Sequence, residues 1–350
     1  MSPKKRYFSP YETAMAWIEG ETSALTCEAT NPTEWAVWRE AFEGALRRLL
    51  GKFPPPVPLD AEVLEREDLG DYIREKVVYD TEKYASVPAY VLIPKDLKPG
   101  ERRPGILAAH GHGRGKADVC GIAATPEEYA ERIEPLHYDY ARQFVRHGYV
   151  VIAPDWRGFG ERSSPAEWAR PGRDPCNVNY LACGYLGYHL LALQIWDGMR
   201  TLDYLQSRPE VDPDRLGIAG LSFGGTMTTY LAALEPRLKV ACISGYLSTI
   251  KGDAMTMRGL GNFCGAQYMP GLLTIGDIPD VAGLIAPKPL LIEMGEQDTC
   301  FVIADMKAAY AHLERIYRAA GVPERLDVDI HPGPHAWSGR KAFDWFARWL

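Results

Sequence analysis

The stretch Asp214-Arg-Leu-Gly-Ile-Ala-Gly-Leu-Ser222-Phe-Gly-Gly225 decides how the chain is read. A short apolar run ends in a serine set between glycines, and Thr226-Met-Thr-Thr-Tyr-Leu-Ala-Ala-Leu-Glu235 follows with the composition of a helix. Strand, sharp turn and helix in that order, with Gly220-Leu221-Ser222-Phe223-Gly224 matching G-x-S-x-G, describe a nucleophile elbow. Its glycines are a steric requirement, because the chain folds back on itself at the serine and needs small neighbours there. The helix start behind Ser222 points its amides and positive dipole end at the hydroxyl, which favours a developing oxyanion. The simplest alternative, a tight structural turn, does not call for a strand before the pentad and a helix after it.

Outward from the elbow, strands alternate with helices from about residue 73, which predicts an α/β fold with a mostly parallel sheet covered by helices on both faces. About eight strands are expected. Residues 75–79 and 87–93 form an antiparallel opening pair, followed by 106–109, 150–153, 216–219, 240–243, 289–293 and 326–330, with an amphipathic helix over 340–350 ending the chain. Upstream, Trp35, Trp38, Phe42, Leu46, Leu49 and Leu50 recur at helical spacing between an Asn31 cap and a Gly51 stop, a stripe expected to pack this helix onto the main domain, with a partner surface as the alternative. Phe53-Pro-Pro-Pro-Val-Pro58 reads as a stiff connector. The expected organisation is an N-terminal helical extension with a Pro-rich linker over 1–72, then a catalytic domain over 73–350. Within the latter, 157–190 is too long for a simple connection and is rich in Pro, Gly and aromatics, so it is expected to line the pocket.

The net charge of −7 comes from interspersed acidic and basic residues, without a basic stripe for nucleic acid or a polybasic run for a membrane surface. No segment approaches the roughly 18 apolar residues of a membrane span, and the basic amino terminus has no apolar run behind it. The chain therefore reads as soluble and cytoplasmic, with a small-molecule substrate; a homo-oligomer is left open. Seven cysteines without any C-x-x-C pair fit a reduced compartment, with one bridge such as Cys176 to Cys183 left open.

A serine hydroxyl needs a base, and the base an orienting acid, in the chain order serine, acid, histidine for this kind of sheet. Asp298, just beyond the apolar strand 289–293, is the expected acid, with Glu296 as the other candidate; capping the segment near Phe301 is the competing role for Asp298. His335, between the last strand and the last helix, is the expected base, with His331 as its competitor. The amide of Phe223 is one oxyanion donor. The other comes from Ala108-Ala-His-Gly-His-Gly-Arg-Gly115, with the amide of His112 preferred and Gly113 next. His110, His112 and Cys120 could be taken for metal ligands, but they do not make a closed ligand set, and neither metal nor cofactor is expected. Asp155 and Arg157 are expected to form a structural ion pair or a loop clamp. Trp156, Tyr180, Tyr185 and Tyr188 are the candidates to line the pocket.

With these residues in place the chain resembles the α/β-hydrolase superfamily, in the branch of acetyl xylan esterase-like and dienelactone hydrolase-like serine esterases. The likeness spans roughly 75–350 and rests on His110-Gly-His-Gly113, Asp155-x-Arg-Gly-x-Gly160, the segment Trp196–Tyr204 leading into the elbow, and the loops carrying Asp298 and His335. It implies a serine carboxylic ester hydrolase cleaving small esters through an acyl-enzyme, with Ser222, His335 and Asp298 as triad and no cofactor. Dienelactone hydrolases use a cysteine where Ser222 stands, which favours ordinary esters. The deacetylase relatives usually carry a tyrosine where His112 stands. Two other functions share the fold: a serine peptidase of prolyl-oligopeptidase type, for whose gating propeller the preceding residues are too few, and a non-catalytic binding protein, which would usually lack a triad member.

Overall fold

The computed structural model describes residues 5–20, 23–165, 168, 172–252 and 263–350. Nine strands form one sheet: β1 Glu62–Asp68, β2 Tyr72–Glu82, β3 Ala85–Pro94, β4 Arg103–Ala109, β5 Val150–Pro154, β6 Val211–Leu221, β7 Leu238–Ser244, β8 Leu290–Gly295 and β9 Leu326–His331, in the order β1-β2-β3-β5-β4-β6-β7-β8-β9. The pairs from β5 through β9 are parallel, and β1, β2 and β3 run antiparallel at one side. β5, β7 and β8 are short, almost wholly apolar and buried, as strands covered on both faces must be.

Side chains alternate across this sheet into two apolar layers. Leu107, Ile152 and Ile218 face one layer, whereas Ile106, Val151 and Ala219 face the other. The first layer is closed by helices Leu190–Ser207, Phe223–Leu234 and Ile303–Ala319, the second by Tyr140–Arg146 and the last helix, Ala342–Trp349.

One feature differs from the sequence expectation. Among the described residues there are nine strands rather than about eight, and the additional one, β1, falls inside the segment expected to hold only helix and linker. Its sequence, Glu-Val-Leu-Glu-Arg-Glu-Asp, is exposed throughout and carries no inward-facing apolar set. It is held to β2 by backbone pairing and by cross-strand ion pairs such as Arg66–Glu75 and Arg74–Glu67, and its charges guard the sheet edge.

Helix Pro32–Leu50 packs its apolar stripe onto the main body, as its spacing predicts. Asn31 caps it, accepting from the Thr33 and Glu34 amides at 3.1 Å, and Gly51 ends it at φ 74°. Its stripe of Trp38, Phe42, Leu46 and Leu50 is buried in the same layer as Ile285 and Ile316, and the Trp38 indole donates to Leu25 O at 2.7 Å. Among the described residues no helix is long and apolar enough to cross a membrane.

Candidate active site

Parallel strands in register bring their carboxyl ends to one level, and the functional loops leave from there. Ala109 lies opposite Gly220, Leu221 opposite Ser244, and Gly295 opposite His331. Ser222 follows β6 directly, at φ 62° and ψ −120°, as the residue before helix Phe223–Leu234. Its amide donates to Ser244 O at 3.0 Å, which ties the strained corner to β7. A Cβ on Gly224 would run into Ala109 O, and one on Gly220 into Gly224 O. The glycines of the pentad thus let the elbow helix, the β4 end and the β6 end approach at backbone distance.

Asp298 and His335 are brought together by two adjacent loops. The Glu296 amide donates to His331 O at 2.8 Å and the Gln297 amide to Gly333 O at 3.1 Å, so the turns after β8 and β9 run side by side. Asp298 is buried; its Oδ1 accepts from the Cys300 and Phe301 amides at 2.6 and 2.9 Å, and its Oδ2 from His335 Nδ1 at 2.7 Å. The capping role and the pairing with histidine are therefore both filled, by different oxygens. A carboxylate can only accept, so Nδ1 carries the ring proton and Nε2 presents a lone pair. His335 Nε2 is buried and has no hydrogen-bond partner among the described residues. Of the competing residues, Glu296 is exposed. His331 is buried, its Nδ1 accepts from the Gly333 amide at 3.3 Å, and burial holds its pKa below the usual imidazole value.

The loop after β4 is ordered by its own histidine. His110 is fully buried; Nε2 accepts from the Trp156 amide at 3.1 Å, leaving Nδ1 to donate to Gly111 O at 2.7 Å. Burial lowers its pKa, consistent with a neutral ring that spans two loops. The Gly111 amide donates to the Tyr138 hydroxyl at 2.8 Å. The His112 ring turns outward between Phe159 and Phe223, with centroids 5.3 and 5.6 Å away, and its Nε2 lies 3.2 Å from Cys264 Sγ. Cys120, buried elsewhere in the second layer, is no neighbour of His112 in that cluster.

Ser222, His335 and His112 line one cavity of about 400 Å³, whose walls include Tyr138, Phe263, Cys264 and Phe301. None of the four aromatic residues expected there lines it. Trp156 is fully buried in the core, Tyr180 stacks edge-on against Tyr268 at 5.3 Å, Tyr185 is 94% exposed, and Tyr188 lies under Lys52 Nζ at 4.7 Å. From the segment 157–190 the cavity takes Asp174 instead. The wall residues Tyr138, Phe263, Cys264 and Phe301 sit on connecting loops, where no periodicity marks which side chains face inward.

Of the two roles expected for Asp155 and Arg157, the ion pair between them is not formed, and each residue clamps its loop to other elements instead. Asp155 takes Lys116 Nζ at 2.6 Å and the Lys116 amide at 2.7 Å, while Arg157 holds Asp197 through two bonds of 2.7 and 2.9 Å and Glu82 at 2.9 Å. Both residues lie beyond the end of β5, where strand alternation no longer applies, and each ties that turn to a different element: Asp155 to the segment carrying Lys116, Arg157 to the helix Leu190–Ser207 and to β2. Cys176 and Cys183 are likewise not bridged; both are free thiols, and Cys176 meets Cys264. The hydrogen bond from Cys176, ahead of the one from His112, draws Cys264 well below the usual thiol pKa.

With this geometry in hand, the comparisons with known proteins can be placed. Residues 3–338 match the Abhydrolase family. A protein of Bacillus subtilis (strain 168) named as a candidate hydrolase, YtaP, is 29% identical over 283 residues, covering 80% of this chain and 88% of its own length. The fold is shared with a Bacteroides fragilis NCTC 9343 structure described as a candidate acetyl xylan esterase (TM-score 0.77, 19% identity, 93% of this chain and 83% of that one). It is also shared with a glucuronoyl esterase from Solibacter usitatus (TM-score 0.66, 16% identity, 93% and 97%). Because that match spans nearly the whole chain, this chain belongs to the Abhydrolase family.

Proposed function

We propose that the protein is a serine carboxylic ester hydrolase acting on small, short-acyl or acetyl, esters through a Ser222–His335–Asp298 triad. The observation that carries this reading is the cavity wall shared by Ser222 and a His335 whose Nε2 is unpartnered among the described residues and whose Nδ1 is held by Asp298. In the first step His335 Nε2 takes the Ser222 proton as Oγ attacks the ester carbonyl. The negative charge that develops on the carbonyl oxygen is held by the Phe223 amide at the start of the elbow helix and by an amide of the β4 loop. Since the Gly111 amide is occupied by Tyr138, the next one along, at His112, is the donor we assign. Collapse expels the alcohol, protonated by His335, and leaves an acyl-serine. Water, deprotonated by the same nitrogen, then attacks the acyl carbonyl and releases the acid. A cavity of this volume, walled in part by Leu136, Leu221, Phe263 and Phe301, suits a small acyl group, and the neighbours described as acetyl xylan and glucuronoyl esterases agree with ester chemistry.

The test is hydrolysis of p-nitrophenyl esters of increasing acyl length by wild type and Ser222→Ala in parallel. Turnover is expected to be highest for acetate and propionate and to fall about 10⁴- to 10⁶-fold in the variant. A folded wild type that cleaves none of the series, or a variant that cleaves them equally well, would overturn the assignment.

A further inference from the structure

His112, Cys176 and Cys264 come from three separate parts of the chain, and their donor atoms, Nε2 and two Sγ, all lie within 4.8 Å of one another. His112 belongs to the loop after β4, Cys176 to the first turn of helix Pro175–Tyr185, and Cys264 to the segment entering the cavity wall. From the geometry we infer that these three side chains form a binding site for a thiophilic divalent cation of the zinc type, open on its fourth side to the cavity.

The donor set fits that chemistry. Two sulfurs and one imidazole nitrogen are the soft and borderline ligands that zinc takes, and three protein ligands with one open position is a recurring arrangement. In a tetrahedral zinc site the donors stand roughly 3.5 Å apart, so the 3.2 Å between His112 Nε2 and Cys264 Sγ needs little change.

The supports around the ligands are built as well. The Asp174 carboxylate accepts from the Cys176 amide at 2.8 Å and fixes the start of that helix. The Gly265 amide donates to Asn177 Oδ1 at 2.7 Å, and a Cβ on Gly265 would come within 2.6 Å of Cys176 O. The segment carrying Cys264 is thereby pressed onto the turn carrying Cys176, a contact that only glycine permits. The His112 ring is wedged between Phe159 and Phe223. Three ligands held by their own neighbours lose little freedom when a cation binds, which is what raises affinity. Both sulfurs would bind as thiolates, each one that still carries its proton releasing it, RSH + M²⁺ giving RS–M⁺ + H⁺, and the cation would complete its coordination with water or with an oxygen of a molecule in the cavity.

The site is independent of the ester-hydrolase reading, and its test does not use turnover. Under a phosphine reductant, full-length protein is titrated with Cd²⁺ while thiolate-to-cadmium charge-transfer absorption is followed, and with Zn²⁺ as competitor. One equivalent is expected to bind with that absorption, with affinity falling at least about 100-fold in Cys176→Ser and in Cys264→Ser. Should either variant fail to fold, wild type answers alone: Zn²⁺ is expected to protect Cys176 and Cys264 from alkylation, read by peptide mass, while the partly exposed Cys183 stays reactive. Absence of the charge-transfer band, equal binding by the serine variants, or no protection of the pair would overturn the site. So would isolation of the protein with Cys176 and Cys264 oxidised to a disulfide that the reductant does not open.

Discussion

Ser222 shows what a single position asks of its surroundings. A non-glycine residue at φ 62° is strained, and the strain persists here because its amide is bonded to Ser244 O and because the neighbouring glycines let three backbones converge. Gly224 is the tightest of these contacts. A methyl group there would collide with Ala109 O, which is backbone at the end of a buried strand and cannot rotate away. Gly224→Ala is therefore expected to separate β4 from the elbow helix, destabilising the protein by about 3 kcal/mol or more. Urea unfolding checks this, and a variant within 0.5 kcal/mol or so of wild type would mean that the corner yields. The elbow was legible in the sequence because its requirements are local: five consecutive residues and the elements on either side. Asp298 and His335 were legible for a related reason, since each follows a recognisable strand. The walls were not. Tyr138, Phe263 and Phe301 reach the cavity from loops, and Trp156 turned into the core although it leaves β5 at the functional edge.

At the scale of elements, the loop that carries His335 is held from below by β8. Glu293, fully buried in that strand, accepts from the Ser338 amide at 3.1 Å and the Gly339 amide at 2.9 Å, so the chain beyond the histidine is anchored two strands' width from the elbow. Burial pushes its carboxyl up to about 7. The sign of the consequence follows from comparing the two states. An unfolded glutamate releases its proton near its ordinary value, whereas the folded one keeps it until about 7, so the native state binds more protons in between. The contribution of the neutral carboxyl is full below the ordinary value and is lost as pH rises through about 7. Asp277, raised to about 6 by its own burial, acts in the same direction, so only a comparison isolates Glu293. In urea unfolding at about pH 5 and about pH 8, wild type is expected to lose more stability over that interval than Glu293→Gln, by roughly 1–3 kcal/mol. Equal losses would show that Glu293 does not keep its proton in the fold. Nothing in the sequence marked this residue, because a glutamate in an apolar strand reads as a polar interruption until its two amide partners, 45 and 46 residues further on, are brought beneath it.

For the whole molecule, the question is whether the helix Pro32–Leu50 is an appendage or part of the folding unit. The stripe on helix Pro32–Leu50 was readable from its spacing, and the proline run after it suggested a boundary. The strand that follows that run, β1, escaped notice because pairing with β2 and charge across the edge hold it, with no apolar pattern to betray it. Its place in the sheet joins the chain on the far side of the prolines to the main body, and the helix on the near side is joined by burial. Phe42 is fully buried and packs against Gly276, where a Cβ would come within 2.6 Å of its ring, while Trp38 reaches Gly283 at 3.1 Å by the same measure. Those glycines border the helix Ile278–Gly283 and thus lie in the layer that also covers β7 and β8. Emptying the Phe42 site should then be felt by the entire protein: Phe42→Ala is expected to cost about 3–5 kcal/mol. It should lower the single urea transition seen by far-ultraviolet dichroism and tryptophan fluorescence together. A helix that was only an appendage would behave differently. Its loss would appear as a separate early phase in one signal and leave the main midpoint in place, because none of the contacts that close the sheet layer would have depended on it.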